Sequence, residues 1–243
     1  MKILITGASS GLGAELARQY AQADVELIFL ARRKEKLQTL QNELQNRCKN
    51  IELIVVDVSD FLLLQEKIRL VGAVDIVILN AGISLGHSAE ITPFADFKRV
   101  YDVNLLANHA ILEILLPHFV SQKSGKIVFV SSLASLISMP TAKAYASSKR
   151  ALNAYAEALH YKYKKEGIQI ITLLPGFIQS ELTDKNKFKM PFLLSTKDGV
   201  KIMKRAIDKN KRSYVFPLRF YLIISLLRLL PQFLRERIVN SIN

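Results

Sequence analysis

The sequence predicts an α/β domain: a doubly wound parallel sheet of about seven strands with helices on both faces. Three observations lead there. Short apolar, β-branched runs recur along the chain. Segments with helical periodicity separate them. A glycine-rich turn stands directly between the first run and the first helical segment. Continuous apolar runs mark strands buried on both faces, and parallel strands need a crossover between them.

Taken in order, KILI at 2–5 opens the sheet, with helical spacing over about 11–22 behind it. VELIFL at 25–30 is the second strand, followed by a helix over 33–47. IELIVV at 51–56 and a helix over 60–70 come next, then DIVIL at 75–79 and a single long helix over 96–120. KIVFVS at 126–131 precedes a helix over 145–165, and IQIITLL at 168–174 precedes one over 197–210. SYVF at 213–216 closes the sheet. With no internal repeat or linker, residues 1–217 read as one domain and 218–243 as an apolar, basic helical tail.

The 243 residues, half of them hydrophobic, suffice for one large core. A single cysteine, Cys48, excludes an internal disulfide and fits a reducing, cytoplasmic compartment. The apolar start of MKILITG is too short for a signal peptide. Of the net charge of +13, most lies in residues 185–243, which hold 14 Lys/Arg against 3 Asp/Glu. That asymmetry points to an anionic partner or to a solvated basic surface. Nucleic acid is not expected, because no recognised binding motif accompanies the charge and few aromatics interleave with it.

TGASSGLG, residues 6–13, joins the first strand to the first helix. Its glycines permit a tight turn and close approach of a ligand, and the helix N-terminus behind them favours an anion. In the first βα unit of an alternating chain this is a dinucleotide site on a Rossmann fold. The second strand ends in FLARRKEKL. An acid there would hold ribose hydroxyls; Ala31 takes that place, and Arg32 and Arg33 follow. Two guanidiniums suit a 2′-phosphate, so NADP(H) is expected rather than NAD(H), with Arg33 alternatively a solvated helix-start residue.

YASSK at 145–149 spaces Tyr145 and Lys149 to share one helix face. Together these segments are similar to the short-chain dehydrogenase/reductase family over about residues 1–216. TGASSGLG resembles its cofactor loop, placing Gly7, Ser9, Ser10, Gly11, Leu12 and Gly13 against the cofactor. DVSD supplies Asp57 for the adenine. LNAG, with Leu79 in place of the family's first Asn, supplies Asn80, Ala81 and Gly82. VNLLANH supplies Asn104, VSSLAS supplies Ser132 thirteen residues before Tyr145, and LPGFIQSELT supplies Pro175, Gly176 and Ser180, with Thr183 nearby. The resemblance implies that Asn104, Ser132, Tyr145 and Lys149 are catalytic, that Tyr145 and Lys149 also contact the cofactor, Lys149 at the nicotinamide ribose, and that Asn104 holds a water in a relay to Lys149.

The chemistry can be stated independently. Carbonyl reduction needs a hydride on carbon and a proton on oxygen. A phenol with a pKa of about 10 serves poorly at neutral pH unless nearby positive charge lowers it. Lys149 and an oxidised nicotinamide would supply that charge, and Ser132 would hold the substrate oxygen. Ser131 should point to the other side of its strand. Ser147 and Ser148 read as structural, and His87 as a surface-loop residue or a lining of the substrate mouth. His109, His118 and His160 receive no role, and no cluster has metal-ligand spacing.

The substrate loop is expected at about 177–196. Phe177, Met190, Phe192 and Leu193 would form an apolar pocket, and Lys185, Lys187 and Lys189 a basic rim, fitting a lipophilic carbonyl or alcohol with an acidic head or carrier. The family's acyl-carrier reductases commonly end in a DGG segment; this chain has YVFPLRF, which resembles members acting on lipid-soluble substrates. The tail, interrupted by Arg228 and Pro231, is too short and charged to span a bilayer. It would lie on an anionic membrane surface, pack on the domain, or form a homodimer. The alternatives to a catalytic oxidoreductase are a 3-oxoacyl-carrier-protein reductase and a non-catalytic NADP(H)-binding regulator.

Overall fold

In the computed structural model, which describes residues 1–85, 90–184, 186 and 188–241, the apolar runs form seven strands. These are β1 (Lys2–Thr6), β2 (Glu26–Ala31), β3 (Asn50–Val55), β4 (Ile76–Leu79), β5 (Gly125–Val130), β6 (Ile168–Pro175) and β7 (Ser213–Phe216). All pair in parallel, in the order β3-β2-β1-β4-β5-β6-β7. The order reverses between β1 and β4, which opens a crevice at the strands' C-terminal ends, the place where such sheets bind ligands.

The connecting helices are α1 (Gly11–Tyr20), α2 (Lys34–Leu44), α3 (Phe61–Val71), α4 (Phe94–Tyr101), α5 (Ala107–Gln122), α6 (Lys143–Tyr163) and α7 (Thr196–Asp208). They bury the two faces of the sheet in separate cores. Ile3, Ile5 and Phe29 lie in the core shared with α1, α2 and α7; Leu4, Val77 and Phe129 lie in the core shared with α3, α5 and α6. Neighbouring residues of β1 thus serve opposite cores, as the two-residue strand period requires. Each fully buried aliphatic side chain contributes roughly 1.5–3 kcal/mol.

The helix expected over 96–120 is interrupted. Between α4 and α5 the turn Asp102–Leu106 is a π-helix, which carries Asn104. Such widened turns re-aim a side chain that uniform helical periodicity cannot reveal. The stretch Phe94–Gln122 is the one among the described residues with the length and hydropathy of a membrane span, but half of its most apolar window is buried in the domain.

The tail forms two helices, α8 (Leu218–Leu229) and α9 (Gln232–Ser241), separated at Pro231. Proline fixes φ and lacks the N–H that a continuing helix needs. Ile224 and Val239 pack against Leu133, Ile137 and Leu174 in a third core. The tail is thus seated on the domain, and its opposite side exposes Leu222, Leu226, Leu229 and Phe233.

Candidate active site

Tight glycine geometry shapes the β1–α1 turn. Gly7 has φ +67° and Gly11 φ +53°, both left-handed, and a Cβ on Gly13 would lie 2.3 Å from the Gly7 carbonyl oxygen. Thr6 ties this turn to the end of β4: its Oγ1 accepts from the N–H groups of Asn80 and Ala81, both at 2.9 Å. Asn80 Nδ2 donates to the Thr6 carbonyl at 2.9 Å, so this side chain positions the turn while Ala81 and Gly82 border the crevice. Leu12 packs its side chain against the core. No side chain caps the N-terminus of α1; the Ser10 hydroxyl is turned elsewhere. Open helix N–H groups beside a turn with no room for a Cβ make a donor set that fits a dinucleotide's pyrophosphate.

At the inner end of the crevice stand the residues expected to act on substrate. Ser132 follows β5, and its Oγ accepts from the Ala134 N–H at 3.1 Å. Tyr145 and Lys149 share a face of α6. Burial raises the Tyr145 phenol above its ordinary range, and the neighbouring Ser132 hydroxyl opposes that rise. Lys149 is buried and donates from Nζ to the Val130 carbonyl at 2.8 Å, 5.9 Å from the Tyr145 ring centroid. Burial lowers its ammonium to about 8. Burial sets the direction of the Tyr145 shift here, and the Lys149 ammonium is directed to a backbone carbonyl.

Asn104 is fully buried. Its Oδ1 accepts from Ile83 N at 2.8 Å, and its Nδ2 donates to the Ile83 carbonyl at 3.1 Å and to Ser148 Oγ at 3.0 Å. Ser148, read from sequence as structural, holds Asn104 in place and donates to the Tyr145 carbonyl at 2.8 Å. A Cβ on Gly82 would sit 3.4 Å from both Asn104 Oδ1 and Lys149 Nζ. Behind Ser132, Ser135 accepts from Asn153 and donates to the Ser132 carbonyl, fixing the segment that follows the serine.

The outer end is built from charges. Arg32 Nη1 pairs with Asp57 Oδ2 at 3.1 Å, and Asp57 Oδ1 accepts from the Ser59 N–H and hydroxyl. Burial pushes the Asp57 carboxyl up, but these contacts outweigh it and hold the group below its usual range. Arg33, the candidate for a solvated helix start, instead reaches the glycine turn: its Nη2 donates to Ser9 Oγ at 3.1 Å and Ser10 Oγ at 2.5 Å. Its Nη1 pairs with Glu181 Oε2 at 2.8 Å, and Lys36 Nζ pairs with Glu181 Oε1 at 2.5 Å. Lys36 and Glu181 were not singled out in the sequence; Glu181 lies 148 positions from Arg33, beyond any local pattern.

The loop after β6 forms the remaining wall. Pro175 ends β6, and Gly176 N donates to the Phe216 carbonyl at 2.7 Å. Ser180 N donates to Thr183 Oγ1 at 2.9 Å, closing a turn that lies over Gly11. Phe177 stacks on Phe220 of α8 at 5.6 Å, and Phe188 and Phe192 join this cluster. His87, Lys185 and Lys187 lie outside the described residues. A cavity of about 590 Å³ between α9 and the start of α6 is lined by Leu136, Ile137, Pro140 and three guanidiniums, Arg150, Arg228 and Arg235, with Glu236. Among the described residues no cluster has metal-ligand geometry.

The family model for short chain dehydrogenase matches residues 1–190. The chain is 34% identical over 232 residues to an uncharacterized oxidoreductase of Myxococcus xanthus, covering 94% of this chain and 92% of that one. It is 36% identical over 219 residues to an uncharacterized oxidoreductase of Mycobacterium tuberculosis, covering 86% and 85%. Among solved structures, a short-chain dehydrogenase from Sphingobium yanoikuyae in complex with NADPH has the same fold, with a TM-score of 0.83 at 22% identity over 95% of this chain and 96% of that one.

Proposed function

The chain belongs to the short-chain dehydrogenase/reductase family of oxidoreductases, and from that premise we propose that it transfers a hydride between NADP(H) and a lipophilic carbonyl or secondary alcohol. One observation carries the reading: Tyr145 and a buried Lys149 stand together on one face of α6, with Ser132 beside them, next to the glycine turn. The NADPH named with the Sphingobium structure, and the paired cations at the outer end, support the phosphorylated cofactor.

The glycine turn and the α1 N-terminus would hold the pyrophosphate, Asp57 would border the adenine, and Arg33 with Ser9 and Ser10 would receive the 2′-phosphate. When bound, the cofactor supplies or accepts the hydride. Ser132 holds the substrate oxygen and Tyr145 gives it a proton in the reducing direction. Lys149, protonated below about pH 8, keeps positive charge beside the phenol. As the family resemblance implies, Asn104 would hold a water in a proton relay to Lys149.

Phe177, Phe188, Phe192 and Phe220 favour an apolar substrate. The outer stripe of α8–α9 pairs Leu222, Leu226, Leu229 and Phe233 with Arg219 and Arg237, a pattern suited to an anionic membrane surface reached from the cytoplasm. A Leu222→Glu, Leu226→Glu variant should lose binding to anionic liposomes. Retained binding together with a dissociated dimer would assign the stripe to a second subunit.

The decisive test of activity is loss of reduced-nicotinamide absorbance across a panel of lipophilic aldehydes and ketones. Turnover by the wild type and none by Tyr145→Phe supports the reading. NADPH binding without turnover by either favours a regulator.

A further inference from the structure

Glu181 answers a question that the outer end of the groove raises. Arg33 and Lys36 are two cations next to the serine hydroxyls of the glycine turn, yet both are already satisfied by one carboxylate from a distant loop. That carboxylate also accepts from Ser10 Oγ at 2.9 Å. Its oxygens thus meet a guanidinium, an ammonium and a hydroxyl, the donor types that recognise a phosphate. The Ser180–Asp184 turn that carries it lies against the glycine turn, with Ser180 Cβ 3.3 Å from where a Gly11 Cβ would be. We propose that Glu181 is an internal stand-in for the cofactor's 2′-phosphate, exchanged for it on binding, and that Lys36 is a further cation of the 2′-phosphate site beside Arg33. This rests on the NADP(H) reading given above.

The exchange is physically easy. Glu181, Arg33 and Lys36 have side chains 41–50% exposed, so each pair is weak and readily broken. The Lys36 and Arg33 contacts hold the carboxyl down at about 2, so it remains an anion at every working pH. A phosphate near two negative charges outcompetes a single carboxylate for the same donors. A ligand without the 2′-phosphate gains nothing from displacing Glu181. The carboxylate therefore taxes only the phosphorylated cofactor, and its departure frees the turn next to the substrate loop.

Binding of two fragments, 2′,5′-ADP and 5′-AMP, tests this without turnover. The wild type should prefer 2′,5′-ADP. Glu181→Gln should bind 2′,5′-ADP about threefold to tenfold more tightly, with 5′-AMP unchanged and reporting an intact groove. Adding Lys36→Met to that variant, where the competing carboxylate is gone, should weaken 2′,5′-ADP by a similar factor. Unchanged or weaker 2′,5′-ADP binding in Glu181→Gln overturns the stand-in, and an indifferent Lys36→Met overturns the added cation. A wild type that binds both fragments equally would instead overturn the NADP(H) reading itself.

Discussion

At the Tyr145 end of the groove Asn104, Ser148 and Lys149 are buried and bonded to backbone; at the Arg33 end the polar side chains are half exposed and tied to one another. Lys149 is 3% exposed and bonded to the Val130 carbonyl, whereas Glu181 is half exposed and bonded to three side chains. Backbone anchors in a dry site hold a reacting group within the tolerance that chemistry needs. Side-chain pairs in water exchange partners at little cost. One end is built to stay, the other to be rearranged by what binds.

Five perturbations test that contrast, from the most damaging to the mildest. Tyr145→Phe should cut turnover by about 10²–10⁴ while leaving NADPH affinity unchanged; residual turnover near wild type would remove the proton donor from the buried end. Lys149→Met should change how stability depends on pH. The ammonium's pKa is about 8 in the fold against 10.5 ordinarily, so the unfolded chain binds more protons between those values. The cost of burying the charge is fully present below pH 8 and is relieved as pH rises through that window. Denaturant titrations should show wild type gaining stability relative to Lys149→Met from pH 8 to 10.5, and parallel curves would mean that Lys149 is not desolvated.

Arg33→Ala should raise the Michaelis constant for NADPH about 10- to 100-fold with little change for NADH, since it removes a charge-assisted contact. Arg32→Ala, already engaged with Asp57, should shift it only a few-fold; the reverse ranking would move the phosphate to Arg32. Ser148→Ala should cost about 1 kcal/mol in thermal or denaturant unfolding, because Asn104 Nδ2 keeps its Ile83 contact but loses one buried partner.

The same contrast sorts what was legible in the sequence. The strands were readable because burial on both faces demands unbroken apolar runs such as ELIFLA and IVIL. Tyr145, Lys149 and the glycine turn were readable because helical spacing and the β1–α1 junction are local. The π-turn at Asn104 was not, since the residues around it keep a helical pattern, and even Pro117 stays within α5. Ser148 gained its role only once that turn brought Asn104 to it. Lys36 and Glu181 were hidden because their pairing depends on the first turn of α2 meeting the turn after β6, far apart in sequence.

Phe220 is the feature with the widest reach. From α8 it stacks on Phe177, and its ring edge would come within 3.1 Å of a Cβ on Gly176. The tail and the loop after β6 therefore form one mechanical unit. Transplanting the C-terminal helices from a relative, or trimming them, would alter which molecules the groove admits before it altered how fast it turns them over. Anyone redesigning this scaffold for a new substrate should exchange residues 177–196 and 218–241 together, as a single cassette.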